Sequence, residues 1–252
     1  MKISIITTAL NSEKTLADTL ESILRQTHKD VEVWVIDGGS TDSTVDIIRS
    51  YEPLFGNKLH WISEPDRGLY DAMNKGLARV KGDVVGILNS DDFYTSDDVL
   101  ETVVQKLKKH PSVQAVYGDV HYVNADNLDR VVRYYSSSGF SPWKLRFGYM
   151  PAHPAFYIRR RAMQQAGLYS LDYELASDYE MMVRLFCKYK IGASYIKKDM
   201  VTMRTGGLSN NSFRSRILLT KEDAKACRSN GVYSNFLLCC VKYVTKVFEF
   251  LK

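Results

Sequence analysis

The first hundred residues alternate between short apolar, β-branched runs and stretches of helical periodicity, and this alternation restricts the fold more than any other feature of the chain. The runs occupy residues 3–8, 31–36, 59–63 and 84–88. Between them, Ser12 opens a helix with the inward stripe Leu16, Leu20, Ile23 and Leu24. Val45 and Ile48 mark a second helix, and Leu69, Met73, Leu77 and Val80 a third. The fourth run is almost wholly apolar, which suits a parallel strand buried on both faces. Repeated β-α-β units predict an α/β fold with a Rossmann-like, mostly parallel central sheet and right-handed crossovers. Beyond about residue 113 the pattern loosens. Residues 115–120, 121–123 and 131–135 resemble strands, 155–158 a strand re-entering the sheet, and 179–188 a helix with Met182, Leu185 and Phe186 inward. With no internal repeat or low-complexity linker, the reading is one α/β domain over residues 1–210 and a basic helical extension over residues 211–252.

Charge divides along the same boundary. Residues 213–252 contain eight basic and three acidic side chains, which accounts for the whole formal charge of +5. The first 212 residues are neutral, so a nucleic-acid-binding surface is not expected. Cys187, Cys227, Cys239 and Cys240 follow neither zinc nor disulfide spacing and read as reduced packing thiols in a cytoplasmic protein. The start of the chain, with one lysine and a short apolar stretch, reads as a buried strand rather than a signal peptide. The longest unbroken apolar run, residues 236–241, is far short of the ~20 residues that span a bilayer.

In open α/β sheets, ligands bind beyond the carboxyl ends of the strands. Three polar clusters fall there: Thr7-Thr8, Asp37-Gly38-Gly39-Ser40-Thr41-Asp42 and Asn89-Ser90-Asp91-Asp92. The Asp91-Asp92 pair suits a hard divalent cation, magnesium or manganese, that keeps positions open for phosphate oxygens. An acidic pair also suits a helix N-terminus, as Asp97-Asp98 does just downstream. Asp37 suits hydrogen bonding to a nucleotide base, with glycines that let the backbone approach a ligand. The same residues also make an ordinary tight turn. Neither a Gly-x-Gly-x-x-Gly fingerprint nor a P-loop occurs, which removes the usual support for hydride transfer or NTPase chemistry.

In combination these motifs are more specific than any of them alone. Ile3-Ser4-Ile5-Ile6-Thr7-Thr8-Ala9-Leu10-Asn11, Val35-Ile36-Asp37-Gly38-Gly39-Ser40-Thr41-Asp42, Gly82-Asp83 and Leu88-Asn89-Ser90-Asp91-Asp92 resemble, in order, the motifs of family 2 glycosyltransferases of the GT-A fold. Ser63-Glu64-Pro65-Asp66-Arg67-Gly68-Leu69-Tyr70-Asp71-Ala72-Met73-Asn74 looks like the branch that builds bacterial O-antigens and other exopolysaccharides. The resemblance spans roughly residues 1–210. It implies that Thr7, Asp37, Arg67 and Asp91 contact a nucleotide-sugar donor, a UDP-sugar by default. It further implies that Asp92, with Asp91, binds Mn2+ or Mg2+. The chain departs from the pattern at Asn89, where an Asp is common.

The family carries a catalytic carboxylate, commonly as Glu-Asp, at the start of a later helix. Here Ser177-Asp178 occupies those positions, which makes Asp178 the expected general base of an inverting transfer and Glu180 a weaker substitute. His153 matches a histidine of this branch and is expected on the acceptor or diphosphate side. Gly206-Gly207-Leu208-Ser209 resembles a donor-closing loop. The implied reaction moves one sugar onto a hydroxyl of a polyprenyl-diphosphate-linked or other glycan acceptor at the inner face of the cytoplasmic membrane. A sugar-1-phosphate nucleotidyltransferase lacks its Gly-rich N-terminal loop here, and a non-catalytic nucleotide-sugar-binding module would not need the set Asp37, Asp91, Asp92 and Asp178.

In the tail, Phe236, Leu237, Cys240, Val241, Val244, Val247, Phe248 and Leu251 share one helical face, with Lys242, Lys246, Glu249 and Lys252 opposite. Such a helix suits docking on the domain and an anionic membrane surface equally; the family resemblance, with its polyprenyl-diphosphate-linked acceptors, implies a peripheral membrane contact through residues 236–252. Arg159-Arg160-Arg161 reads as a solvated basic turn, and nothing in the sequence specifies an oligomeric state.

Overall fold

β1 (Ile3–Ala9) is buried along its whole length. It lies in mid-sheet between β2 (Val31–Asp37) and β4 (Val84–Ile87), parallel to both, while β3 (Leu59–Ser63) adds outside β2, also parallel. The computed structural model describes residues 1–206 and 213–246. Helices cover both faces of this parallel half, which is why its strands are apolar without alternation. Ile3, Ile5, Val33 and Val35 pack with α1 (Leu16–Leu24), α2 (Thr44–Phe55) and α4 (Val99–Lys109). Ile6 and Ile36 point the other way, onto α3 (Leu69–Leu77), α5 (Arg160–Ala166) and α6 (Ser177–Val183). Gly76 lets α3 approach β1 closely, since a Cβ there would meet Ile6 Cγ2 at 2.5 Å.

The rest of the sheet is mixed, and the full strand order is β3-β2-β1-β4-β8-β6-β9-β5, with β7 paired to β6. Residues 115–120 and 121–123, expected as separate strands, form one strand, β6 (Ala115–Asn124), with pairing irregularities along it. β7 (Asn127–Tyr135) folds back on β6 as an exposed hairpin arm, and β8 (Phe156–Arg159) runs antiparallel between β4 and β6. Two strands have no counterpart in the sequence reading: β5 (Phe93–Tyr94) and the long β9 (Ala193–Arg204). Lys197, Lys198 and Asp199 interrupt the apolar pattern of β9, and β5 is too short to show one.

Arg159 and Arg160 are not a solvated turn. Arg159 donates to the carbonyls of Val113 and Leu107, and Arg160 to that of Gly82, so the two fasten β8 and α5 to the end of α4 and to neighbouring loops. The extension forms α7 (Phe213–Ser229) and α8 (Phe236–Lys246), packed on α6 and on a 3-10 turn at Pro142–Phe147. The polar face expected for the tail needs correction at Lys242, which is buried and ion-paired with buried Asp223 of α7. Cys239 is also buried, whereas Leu237 is 77% exposed and Phe236 and Val241 also face outward. Apolar residues occur on two sides of α8, and the buried ion pair decides which side docks. Gly148, at φ 79°, makes room for that pair, as a Cβ there would lie 2.8 Å from Lys242 Cδ. All four cysteines are free thiols. Among the described residues, no helix is long and apolar enough to cross a membrane.

Candidate active site

β2 and β3 extend the sheet to one side of β1 and β4 to the other, so the connectivity reverses between β1 and β4. The crevice beyond their carboxyl ends is where such sheets bind ligands. The loops around it are laced together. The Thr8 hydroxyl donates to Asn89 Oδ1 at 3.0 Å, the Ser90 amide donates to the Thr8 carbonyl, and the Ser12 and Ser90 hydroxyls lie 2.8 Å apart. Asn11, held at φ 49°, accepts from the Thr41 amide at 2.9 Å while its own amide donates to Ser40 Oγ at 2.7 Å. Asn89 thus acts as a brace between β1 and β4.

The Asp37 carboxylate is fully buried and organises its own loop, accepting from the Gly39 and Ser40 amides and from the Ser40 and Ser63 hydroxyls. Next to it, a Cβ on Gly38 would come within 2.6 Å of Asp66 Oδ2, so glycine lets residues 64–68 fold over this loop. Arg67, on that segment, is exposed and paired with Asp71 at 2.9 Å. Thr7 is buried, and its Oγ1 has no hydrogen-bond partner among the described residues.

After Asp91-Asp92 the chain enters β5, which pairs antiparallel with β9 in the register Phe93↔Thr202. Two residues back along β5 and two forward along β9, that register sets Asp91 opposite Arg204. Arg204 Nη1 donates to the Asp91 carbonyl at 2.6 Å, Nη2 pairs with Asp18, and the guanidinium lies 5.0 Å from the centre of the Phe93 ring. Asp92 is 2% exposed, and its Oδ2 has no partner among the described residues. Burial raises the pKa of both carboxyls. That of Asp92 is driven furthest, because the Asp91 charge adds to burial and Arg204 offsets only part of it. A crowded, under-satisfied carboxylate pair fits a divalent cation that takes further oxygens from a ligand. No group of three or more metal-binding side chains occurs among the described residues.

Asp178 lies at the start of α6. Its Oδ1 accepts from the Tyr179 amide at 2.8 Å and from the Tyr70 hydroxyl at 3.1 Å, while Oδ2 has no hydrogen-bond partner among the described residues. Tyr70 is at the N-terminus of α3, just past the carboxyl end of β3, so its contact brings Asp178 to the same edge of the sheet as the strand-end loops. The Tyr70 phenol is held well above its usual pKa by burial and by the Asp178 charge, so it remains a donor. Tyr169 stacks against Tyr70 at 6.0 Å and bonds His153 Nε2 at 2.9 Å. Burial lowers the His153 pKa, only partly opposed by Asp178, so the ring is a neutral part of the wall beneath the carboxylate. Ser177 is fully buried and donates to the Ser170 carbonyl, and Glu180 is buried in an ion pair with Arg184 at 2.6 Å. Of the acidic side chains at the start of α6, Asp178 is the one with an oxygen left open. Of the loop expected to close over the donor, Gly207, Leu208 and Ser209 lie outside the described residues.

Sequence reasoning missed Arg204 and assigned no role to Tyr70. Arg204 is 113 residues from its Asp91 partner, and only the β5–β9 pairing joins them. Tyr70 stood within a quoted motif, but its contact with Asp178 spans 108 residues.

A sheet that reverses at β1/β4, with an acidic pair on one strand-end loop and an open carboxylate at the same edge, has the architecture of the GT-A-type glycosyltransferases. The chain belongs to glycosyl transferase family 2, whose family model matches residues 4–166. It is 33% identical over 208 residues to a PGL/p-HBAD biosynthesis glycosyltransferase of Mycobacterium bovis (strain BCG / Pasteur 1173P2), covering 82% of this chain and 78% of that one. Solved structures share the fold at low identity. S. aureus TarS 1–349 in complex with UDP-GlcNAc superposes with TM-score 0.72 at 17% identity, covering 99% of this chain and 73% of that one. The chain spans 44% of a longer TarS chain. The mannosyltransferase PcManGT of Pyrobaculum calidifontis, in complex with GDP-Man and Mn2+, superposes with TM-score 0.68 at 19% identity, covering 90% and 63%.

Proposed function

We propose that this glycosyltransferase transfers a single sugar, with inversion, from a nucleotide-sugar to a hydroxyl of a lipid-linked glycan during assembly of a bacterial surface polysaccharide. The observation that carries the reading is Asp178, with Oδ1 anchored by Tyr70 and the Tyr179 amide and Oδ2 open. In this reading Oδ2 accepts the proton of the acceptor hydroxyl as that oxygen attacks the anomeric carbon and the nucleoside diphosphate departs. Anchoring one oxygen fixes the direction in which the other presents its lone pairs, and this positioning is part of the rate enhancement. Thr7, Asp37 and Arg67 line the donor side. Asp91 and Asp92 would hold Mn2+ or Mg2+, which would there offset charge on the diphosphate. Arg204 braces the Asp91-Asp92 loop from below, and His153 backs Asp178 on the acceptor side. Residues 1–210 carry the donor-side, metal and base residues. The outward apolar side of α8, in the basic segment 211–252, lies against the inner face of the cytoplasmic membrane, where a polyprenyl-diphosphate acceptor would be presented.

The test is a donor panel, UDP-hexoses and GDP-mannose with manganese and synthetic polyprenyl-diphosphate sugars, read by mass spectrometry. Asp178→Asn should lower kcat by about 100-fold or more, in the range of general-base removal, with donor binding kept. Full turnover in that variant would remove Asp178 as the base. Chelation should stop transfer and added manganese restore it, whereas chelator-resistant turnover would count against the Asp91-Asp92 site.

A further inference from the structure

Segment 172–176, directly before Asp178, is held from behind by one face of α7. Glu222 Oε1 accepts from the Glu174 amide at 2.8 Å, and its Oε2 accepts from the Leu175 and Ala176 amides at 2.8 and 2.9 Å. One turn on, the Lys225 ammonium donates to the Asp172 carbonyl at 2.8 Å and sits 4.4 Å from the centre of the Tyr173 ring. Another turn on, the Ser229 and Tyr173 hydroxyls lie 3.0 Å apart. The spacing i, i+3, i+7 places all three side chains on one stripe of the helix. Glu222 is the centre of this grip, since a buried carboxylate that accepts three backbone N–H groups makes charge-assisted bonds in fixed directions. The carbonyl of Leu175, whose amide Glu222 holds, shares the single Tyr70 hydroxyl proton with Asp178 Oδ1, at 2.9 and 3.1 Å. One carboxylate from the extension therefore holds the backbone that the Tyr70 anchor of Asp178 also contacts and that leads into the turn carrying the Tyr179 amide.

We infer that Glu222 is a positioning residue for transfer, acting through the 174–176 backbone on the orientation of Asp178, so that α7 is a working part of the active site. This rests on the reading of Asp178 as the base. Glu222→Gln keeps the side chain's shape but turns an N–H donor toward backbone N–H donors, releasing part of the grip with little change in volume.

Three measurements on the full chain test it. Amide hydrogen exchange should speed up across residues 174–178 in Glu222→Gln while the sheet strands keep their protection, and unchanged exchange there would overturn the inference. With the donor that turns over in the panel, kcat per donor-binding site should fall roughly 10- to 100-fold, the scale expected when a reacting group is misaligned by about an ångström, with the donor KM held within about twofold. Loss confined to thermal stability, with kcat per site unchanged, would leave Glu222 a structural cap only and overturn it. In an Asp178→Asn background, Glu222→Gln should add no further loss of kcat, because its effect passes through the missing carboxylate. A full additional loss there would also overturn it. Full turnover in Asp178→Asn alone would instead remove the reading of Asp178 as base, so the two failures are separable.

Discussion

Lys242→Met severs the ion pair that docks α8, and its consequence follows from burial. The Lys242 and Asp223 side chains are 6% and 2% exposed, so water cannot take the place of the lost ammonium. Burial alone would lower the Lys242 pKa, but the Asp223 charge and hydrogen bond, with smaller contributions from Tyr243 and Cys239, together hold the ammonium above its usual value. Removing one member of a buried pair costs about 3–5 kcal/mol, because the remaining charge keeps its desolvation penalty. For a chain of this size about 1 kcal/mol moves Tm by ~2–4 °C, so Lys242→Met should melt roughly 6–20 °C below the parent. The fall is read by thermal unfolding followed by circular dichroism, with urea unfolding for the free energy. The double variant Asp223→Leu/Lys242→Met should recover most of the loss, since replacing a whole buried pair by apolar groups is often neutral. A single variant that melts with the parent, or a double variant no better than the single, would refute the argument that the pair's burial is what matters. Glu222 and Asp223 are neighbours on α7 with separable roles, so kcat per donor-binding site should stay near the parent value in folded Lys242→Met.

Two further outcomes follow from the structure. Glu32 lies buried in β2, where it accepts from the Ser4 hydroxyl at 2.6 Å and from the Lys81 and Gly82 amides, and pairs with Lys2 at 3.1 Å. Burial pushes its carboxyl pKa up, but these bonds together hold it below the usual value. A depressed carboxylate stabilises above its unfolded pKa of about 4.3 and loses that contribution as pH falls through the folded value. Glu32→Gln should therefore cost about 2 kcal/mol at pH 7, with the gap to the parent closing below about pH 4 in urea titrations. On α8, Leu237→Glu and Val241→Glu should each weaken co-sedimentation with anionic phospholipid vesicles about tenfold or more, the equivalent of an apolar side chain left out of the bilayer interface. Equal sedimentation of parent and variants would return that face to ordinary surface.

The parallel half of the fold was legible because central strands covered by helices on both faces require continuous apolar runs, and residues 3–8, 31–36, 59–63 and 84–88 carry that requirement locally. The strand-end clusters could also be located in advance, since turns at Asp37-Gly38-Gly39 and Asn89-Ser90 depend on nearby residues. Tertiary structure alone decided the partnerships that make the site work. Arg204 reaches Asp91 through the β5–β9 register, Tyr70 reaches Asp178 across the sheet edge, and Glu222 reaches the 174–176 backbone from a helix that composition marked only as basic. It also decided which side of α8 faces inward, because both sides carry apolar residues and a pair 19 residues apart, Asp223 and Lys242, makes the choice. Local patterns encode which face of a strand or helix can be buried. Which distant charge or hydroxyl meets a given carboxylate depends on registers and packing that no local pattern records.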